Sequence, residues 1–393
     1  MNSYPESVEF YPREWIELLD SLSSDELYEI DCKKINERIN GSSFASFMQA
    51  VLELCILPIA QKDHEISLED WAFNGVKQKK KHEIQIIAPI LKKLKEINQF
   101  EYIVDIGGGV GHLSRILSHY HSIPSISLDR DAYFQHLGFE RLKKYRRIAG
   151  SAEVKFVTIN FGNDIHEAEL KKIFTPKAFS LGLHTCGALA NILIEKSISH
   201  KTAGLLSFGC CYHSLNPVTD YPLSAFYKEN HFPQYNLYAL TLATRSHAEM
   251  SRETYDTKER VKYYRYALHL FFTRHFGDNA VIDVGECPIK IYWGSFADYI
   301  KLKLSELKIE HHFSDEYFNL FYQDHDLQKE LRVMFLCNII RWQLGRVLEI
   351  SILLDRGIFL EENNYDVCIE QYFNEPLSPR NIGIMATKKK DAL

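Results

Sequence analysis

The chain has 393 residues, more than one ordinary domain needs and enough for two or three units with cores of their own. With 46% hydrophobic and 25% charged residues it has the balance of a folded globular protein, which excludes a disordered or fibrous chain. A net charge of −6 excludes a surface that is basic throughout, while leaving local basic runs available to a nucleic acid.

The first residues, Met1-Asn2-Ser3-Tyr4-Pro5-Glu6, have neither a basic n-region nor an apolar h-region, and the apolar stretch 50–60 is interrupted by Glu53 and Pro58. The expectation is a cytoplasmic chain, with the nucleus also open to it and no membrane partner. Eight cysteines are scattered without a C-x-x-C pair, so reduced thiols are expected rather than a disulfide framework.

Residues 10–74 carry apolar positions at helical spacing (Trp15, Leu18, Leu19, Leu22, then Phe47, Val51, Leu54) and predict a helical amino-terminal region, 1–75. Two basic runs follow. Lys77, Lys79, Lys80 and Lys81 precede a helical pattern from Glu83, and Arg141, Lys143, Lys144, Arg146 and Arg147 form the second. Taken alone, either run reads as a solvated helix face; together they motivate RNA. Between and beyond them, short apolar runs alternate with helical stretches, the rhythm of a parallel sheet with crossovers. The predicted strands are 102–106, 123–128, 154–159, 178–183 and 204–208. After Tyr212 the rhythm stops, and 214–327 reads as a helical, aromatic-rich insertion over the carboxyl edge of the strands. Residues 328–393 add a long helix and two extended runs, 365–372 and 381–386, joined by Asn374-Glu375-Pro376-Leu377-Ser378-Pro379. The expected fold is therefore α/β: a doubly wound sheet over 76–213, completed by an antiparallel hairpin in 328–393, the arrangement of class I methyltransferases.

The first strand turns through Asp105-Ile106-Gly107-Gly108-Gly109-Val110-Gly111 into a helix from His112, which lets backbone approach a ligand where side chains would block it. Asp129, at the end of the next strand, is placed to accept both hydroxyls of an adenosine ribose. A dinucleotide fits poorly, because His112 stands where the third glycine of G-x-G-x-x-G packs helix on strand. S-adenosylmethionine has no pyrophosphate. A G-x-G-x-G turn accommodates its methionine portion, Asp105 can meet the ammonium, and Asn160 is placed for the adenine. Lys80 is a candidate for the cofactor carboxylate.

The fourth and fifth strands run into His184-Thr185-Cys186-Gly187 and Gly209-Cys210-Cys211-Tyr212-His213. Neighbouring strand ends should bring these side chains to one pocket beside the transferable methyl group. His184, Cys210, Cys211 and Tyr212 are the catalytic candidates. Three readings stay open for the cysteines: packing, a thiolate activated by His184 or His213, and a zinc site, for which the ligand types are present but the usual chelate spacing is not. No metal is therefore expected. Tyr212 suits alignment of the acceptor.

Taken together, Lys79-Lys80-Lys81-His82-Glu83, the glycine turn with His112-Leu113-Ser114, His184-Thr185-Cys186-Gly187 with Leu189, and Gly209-Cys210-Cys211-Tyr212 resemble the methyltransferase-like protein 25 family. Tyr221-Pro222-Leu223-Ser224, Leu353-Leu354-Asp355-Arg356 and Leu377-Ser378-Pro379-Arg380-Asn381 extend the resemblance over most of the chain. It implies an adenosylmethionine-dependent methyltransferase; one member is named for a ribosomal RNA adenine dimethylase domain. The H-x-C-G and C-C elements also resemble tRNA ribose 2′-O-methyltransferases of the Trm-thirteen type, without their zinc finger. Adenine methylation is not expected, since the fourth strand lacks an Asn-Pro-Pro-Tyr-like element. The expected acceptor is RNA, as tRNA or rRNA, on the strength of the basic runs 77–81 and 141–147, or a ribosome-associated protein, which the negative net charge permits. A catalytically silent cofactor-binding module is the alternative from another class.

Overall fold

The computed structural model describes residues 6–61, 68–144, 151–161, 167–245, 249–277 and 284–390. Arg146 and Arg147 of the second basic run lie outside them. The chain divides into two units, one of Met1–Leu54 with Glu249–Leu344 and one of Cys55–Ala248 with Gly345–Leu393.

The second unit is built on a seven-stranded sheet of order β3-β2-β1-β4-β5-β7-β6. The strands are β1 (Tyr102–Ile106), β2 (Ser125–Asp129), β3 (Val154–Thr158), β4 (Ala178–Cys186), β5 (Gly204–Cys210), β6 (Tyr365–Gln371) and β7 (Ile382–Lys388). β1 to β5 are parallel, and β7 runs antiparallel to both β5 and β6. Every expected strand is present and the hairpin closes the sheet.

Helices cover both faces, which is why the central strands read as near-continuous apolar runs. Side chains alternate with period two. Ile103, Phe179, Leu181, Leu206 and Phe208 pack with residues of the helices Gln78–Asn98 and His112–His121. Val104, Leu205, Ile382 and Ile384 pack with residues of Ala188–Ser199 and Gly345–Glu362. Each fully buried Leu, Ile or Phe contributes about 1.5–3 kcal/mol of transfer free energy.

Contact is close at the β5–β7 junction, where a Cβ on Gly204 would stand 2.5 Å from the Ala386 carbonyl oxygen and 2.7 Å from the Phe179 ring. Backbone cannot give way there as a flexible side chain would. Gly204→Ala is expected to lower unfolding free energy by about 1–3 kcal/mol, read as a shift of the urea midpoint with an unchanged slope.

The boundaries differ from the expected divisions at 75/76, 213/214 and 327/328, and packing gives the reason. In the 55–75 segment, Ala60 donates its N–H to the Gln371 carbonyl at 2.9 Å, and Ala72 and Phe73 join the core around Ile87. Tyr221, Tyr227 and Leu240 pack with Ile352, so the first part of the expected insertion belongs with the sheet.

The other unit is helical. Arg252–Phe276 buries Tyr264, Leu268 and Phe271 with Tyr299, Phe318, Leu331 and Met334, which draws the helix His325–Gln343 into this unit. Ser23 and Glu26 form a capping box at the start of Ser24–Asp31, and Lys258 pairs with the buried Asp31. Among the described residues, no helix is long and apolar enough to cross a membrane.

Candidate active site

The turn after β1 depends on glycine. Gly107, Gly109 and Gly111 have φ of 69°, 56° and 64°, the left-handed region that side chains make costly. A Cβ on Gly111 would approach Phe156 to 2.5 Å, and one on Gly108 would stand 2.4 Å from the Ser127 hydroxyl. Gly107 and Gly108 both donate their N–H groups to the Leu128 carbonyl, at 2.8 and 3.1 Å, which ties the turn to β2. Asp129 fixes its other end: Oδ2 accepts the Gly109 N–H and Oδ1 the Asp131 N–H, both at 2.9 Å.

A cavity of about 340 Å³ opens beside this turn, the size of a small-ligand site. Gly107, Asp129 and Asn160, three of the expected cofactor residues, line it, and Leu128, Phe161 and Leu189 add apolar wall. The space left by the missing Cβ atoms, a fixed carboxylate and a polar strand end fit the amino-acid, ribose and adenine parts of S-adenosylmethionine. Arg130 also lines the cavity and had no sequence signal beyond following the β2 acid.

Other expected cofactor residues act from behind the wall. Asp105 is buried beneath the turn, accepts the Ser114 hydroxyl at 3.0 Å and does not line the cavity. Burial pushes its carboxyl up to about 6, with Lys80 and Ser114 opposing and Asp129 reinforcing. Burial lowers the Lys80 ammonium against the opposing charges of Asp105 and Glu83. Lys80 thus offsets two carboxylates, and Gly108, Gly109 and Gly111 shape the turn without lining the cavity.

The opposite wall carries His184 and Cys186. His184 is the extra residue of a bulge in β4: pairing runs Leu183 with Phe208, then Thr185 with Gly209, and His184 has φ 67°. Its Nε2 meets Glu83 Oε1 at 2.8 Å, and the Ser378 hydroxyl donates to the same oxygen at 2.8 Å. Glu83 is fully buried on the helix Gln78–Asn98. Burial alone would raise its carboxyl, but the His184 bond and charge, the Ser378 bond and the Lys80 charge outweigh it and hold the group below its usual range. A carboxylate accepts Nε2–H, which leaves Nδ1 as the basic ring nitrogen. In the sequence Glu83 only opens the helical pattern after the basic run, and Ser378 belongs to the turn-rich segment before the last strand. They stand 101 and 295 positions apart from His184 and from Glu83, so only the fold joins them.

The remaining catalytic candidates sit differently from expectation. Tyr212 is fully buried among Leu215, Tyr221, Tyr227 and Leu240; its hydroxyl donates to the Gly209 carbonyl at 3.1 Å and lies 3.4 Å from Glu349 Oε1. It supports the β5 end and cannot align an acceptor in the cavity. His213 is exposed, with its N–H on Thr244 Oγ1 at 2.9 Å. Cys210 and Cys211 do not line the cavity. Burial, with Cys186 beside them, pushes both thiols up, the opposite of what a thiolate nucleophile needs.

Residues 77–218 match a family model described as a methyltransferase domain. Among solved structures, the chain is similar to a putative protein-L-isoaspartate O-methyltransferase from Plasmodium falciparum in complex with S-adenosyl-L-homocysteine. That match has 15% identity and a TM-score of 0.27, covering 49% of this chain and 83% of that one. Coclaurine N-methyltransferase bound to N-methylheliamine and S-adenosylhomocysteine matches at 10% identity and a TM-score of 0.25, over 51% of this chain and 62% of that one. The sheet, five parallel strands completed by the antiparallel β7, is that of class I methyltransferases, and the cavity lies at the carboxyl edge of the parallel strands. Residues 77–218 are a methyltransferase domain, and its methyl donor is S-adenosylmethionine.

Proposed function

We propose that the protein methylates a hydroxyl group of RNA, in tRNA or rRNA. The observation that carries this reading is the His184–Glu83 pair, whose histidine lines the cavity while its carboxylate is buried behind it. A hydroxyl must lose its proton as it attacks the methyl carbon, and an imidazole held by a buried carboxylate is placed to take it. The donor's sulfonium supplies the leaving group; the chain binds, aligns and excludes water.

RNA is favoured by a basic side chain, Arg141, beside the helix that follows the glycine turn. A Cβ on Gly75 would lie 3.2 Å from an Arg141 guanidinium nitrogen, and Arg141 also meets His112 Nε2 at 3.2 Å, at the start of the helix after the glycine turn. Lys77, Lys79, Lys143 and Lys144 are exposed nearby in sequence and offer phosphate contacts. The resemblance to the tRNA 2′-O enzymes points the same way.

The test is transfer of labelled methyl from the donor to total RNA and to total protein, followed by nucleoside analysis. Label in ribose-methylated nucleosides supports the proposal. Label confined to protein, or binding of the donor without transfer to either, overturns it.

Cofactor affinity should depend on pH through Asp105. Its folded pKa of about 6 lies above the ordinary carboxyl value, so the group is neutral below pH 6 and charged above it. The donor's ammonium favours the charged form. The Kd for S-adenosylhomocysteine is expected to rise about tenfold between pH 7.5 and pH 5 by calorimetry, and Asp105→Asn to flatten the dependence.

A further inference from the structure

We infer that Cys186, Cys210 and Cys211 form a three-thiolate site for a divalent thiophilic metal ion of the zinc class. The inference is independent of whether the methyl acceptor is RNA. The three sulfurs lie within 4.8 Å of one another, and Sγ of Cys186 is 3.3 Å from Sγ of Cys210. Tetrahedral zinc with Zn–S bonds near 2.3 Å holds its sulfurs about 3.8 Å apart, so the cluster closes on an ion with side-chain adjustments of well under an ångström per sulfur.

The spacing objection raised by the sequence applies to chelates made by neighbours along the chain. Here the sheet supplies the chelate. Because His184 is bulged out of β4, Cys186 pairs in register with Cys210 and not with Cys211. In-register residues on adjacent parallel strands share a face, so one extra residue in β4 both turns His184 to Glu83 and sets two thiols side by side. Cys211 supplies the third sulfur from a left-handed backbone, φ 54°, a conformation that costs a non-glycine residue free energy.

Binding would release a proton from each thiol and leave three thiolates on a divalent ion, a set with net charge −1 and a fourth position unfilled by cysteine. Arg380 lies within electrostatic reach of Cys211 and offsets that charge. Three protein ligands with an open position are the pattern of zinc sites that bind an exogenous group, and Cys186 lines the same cavity wall as His184.

The test uses the full chain, reduced with a phosphine and freed of metal, titrated with cobalt(II) and with zinc(II). The expected result is stoichiometric cobalt uptake with a thiolate-to-metal charge-transfer band, displaced by zinc. Cys186→Ser removes the exposed ligand, so its fold is expected to survive, as a thermal melt checks. It should abolish the band and weaken cobalt binding by about 100-fold or more. A folded, reduced chain that takes up no cobalt, or takes it up equally in Cys186→Ser, overturns the inference. So does a chain that yields a Cys186–Cys210 disulfide on isolation and binds no metal once reduced.

Discussion

Replacing Asp129 with alanine is expected to weaken binding of S-adenosylhomocysteine by about 100-fold or more, measured by calorimetry. The carboxylate lines the cavity and is already fixed by two backbone N–H groups at 2.9 Å, so little ordering remains to be done when a ribose arrives. A hydrogen bond to a charged group is worth about 1.5–3 kcal/mol, and two vicinal hydroxyls would each lose one. The Gly109 N–H would also lose its acceptor, loosening a backbone that must stay at φ 56°. Asp129→Asn keeps the shape and removes the charge, and should cost about tenfold. An unchanged Kd in the alanine variant would mean that the ribose is not held at the end of β2.

The strand, glycine turn and strand-end acid that frame the cavity were legible in the sequence because their signals are local. A strand, a glycine turn, a helix and a terminal acid lie within 28 positions, Tyr102 to Asp129, and each is a short-range consequence of backbone geometry. The strands were legible for the same reason, including the closing hairpin, since β1, β4 and β5 are buried on both faces and read as apolar runs. What a sequence could not give was which side of a wall a residue occupies. Asp105 and Asp129 both stand at or near the carboxyl ends of adjacent strands, yet one lies beneath the turn and the other faces the cavity. Tyr212 lies just past the end of β5 and His184 within the last residues of β4, but the short helix Tyr212–Ser214 turns the tyrosine ring into the core while the β4 bulge sends His184 to Glu83. A bulge is one residue of register, and nothing in His184-Thr185-Cys186-Gly187 announces it.

The acceptor side gives the sharper test of the proposed chemistry. Glu83→Gln is expected to lower kcat by about 100-fold to 1,000-fold at saturating donor, with the Kd for S-adenosylhomocysteine unchanged. The amide is nearly isosteric, and its oxygen can still accept both His184 Nε2 and Ser378 Oγ at the positions that Oε1 serves. Its NH2 group would fall where Oε2 is already buried without a hydrogen-bond partner. The fold should therefore hold while the negative charge that stabilises an imidazolium disappears, which makes Glu83 a positioning residue whose loss is felt in turnover and not in donor binding. His184→Ala should cost about as much, and the double variant little more, because the two act as one unit. Wild-type turnover in Glu83→Gln would remove the need for a base and with it the argument for a hydroxyl. An acceptor that is nucleophilic without losing a proton, such as a neutral amine or a thioether, would then fit the same wall better.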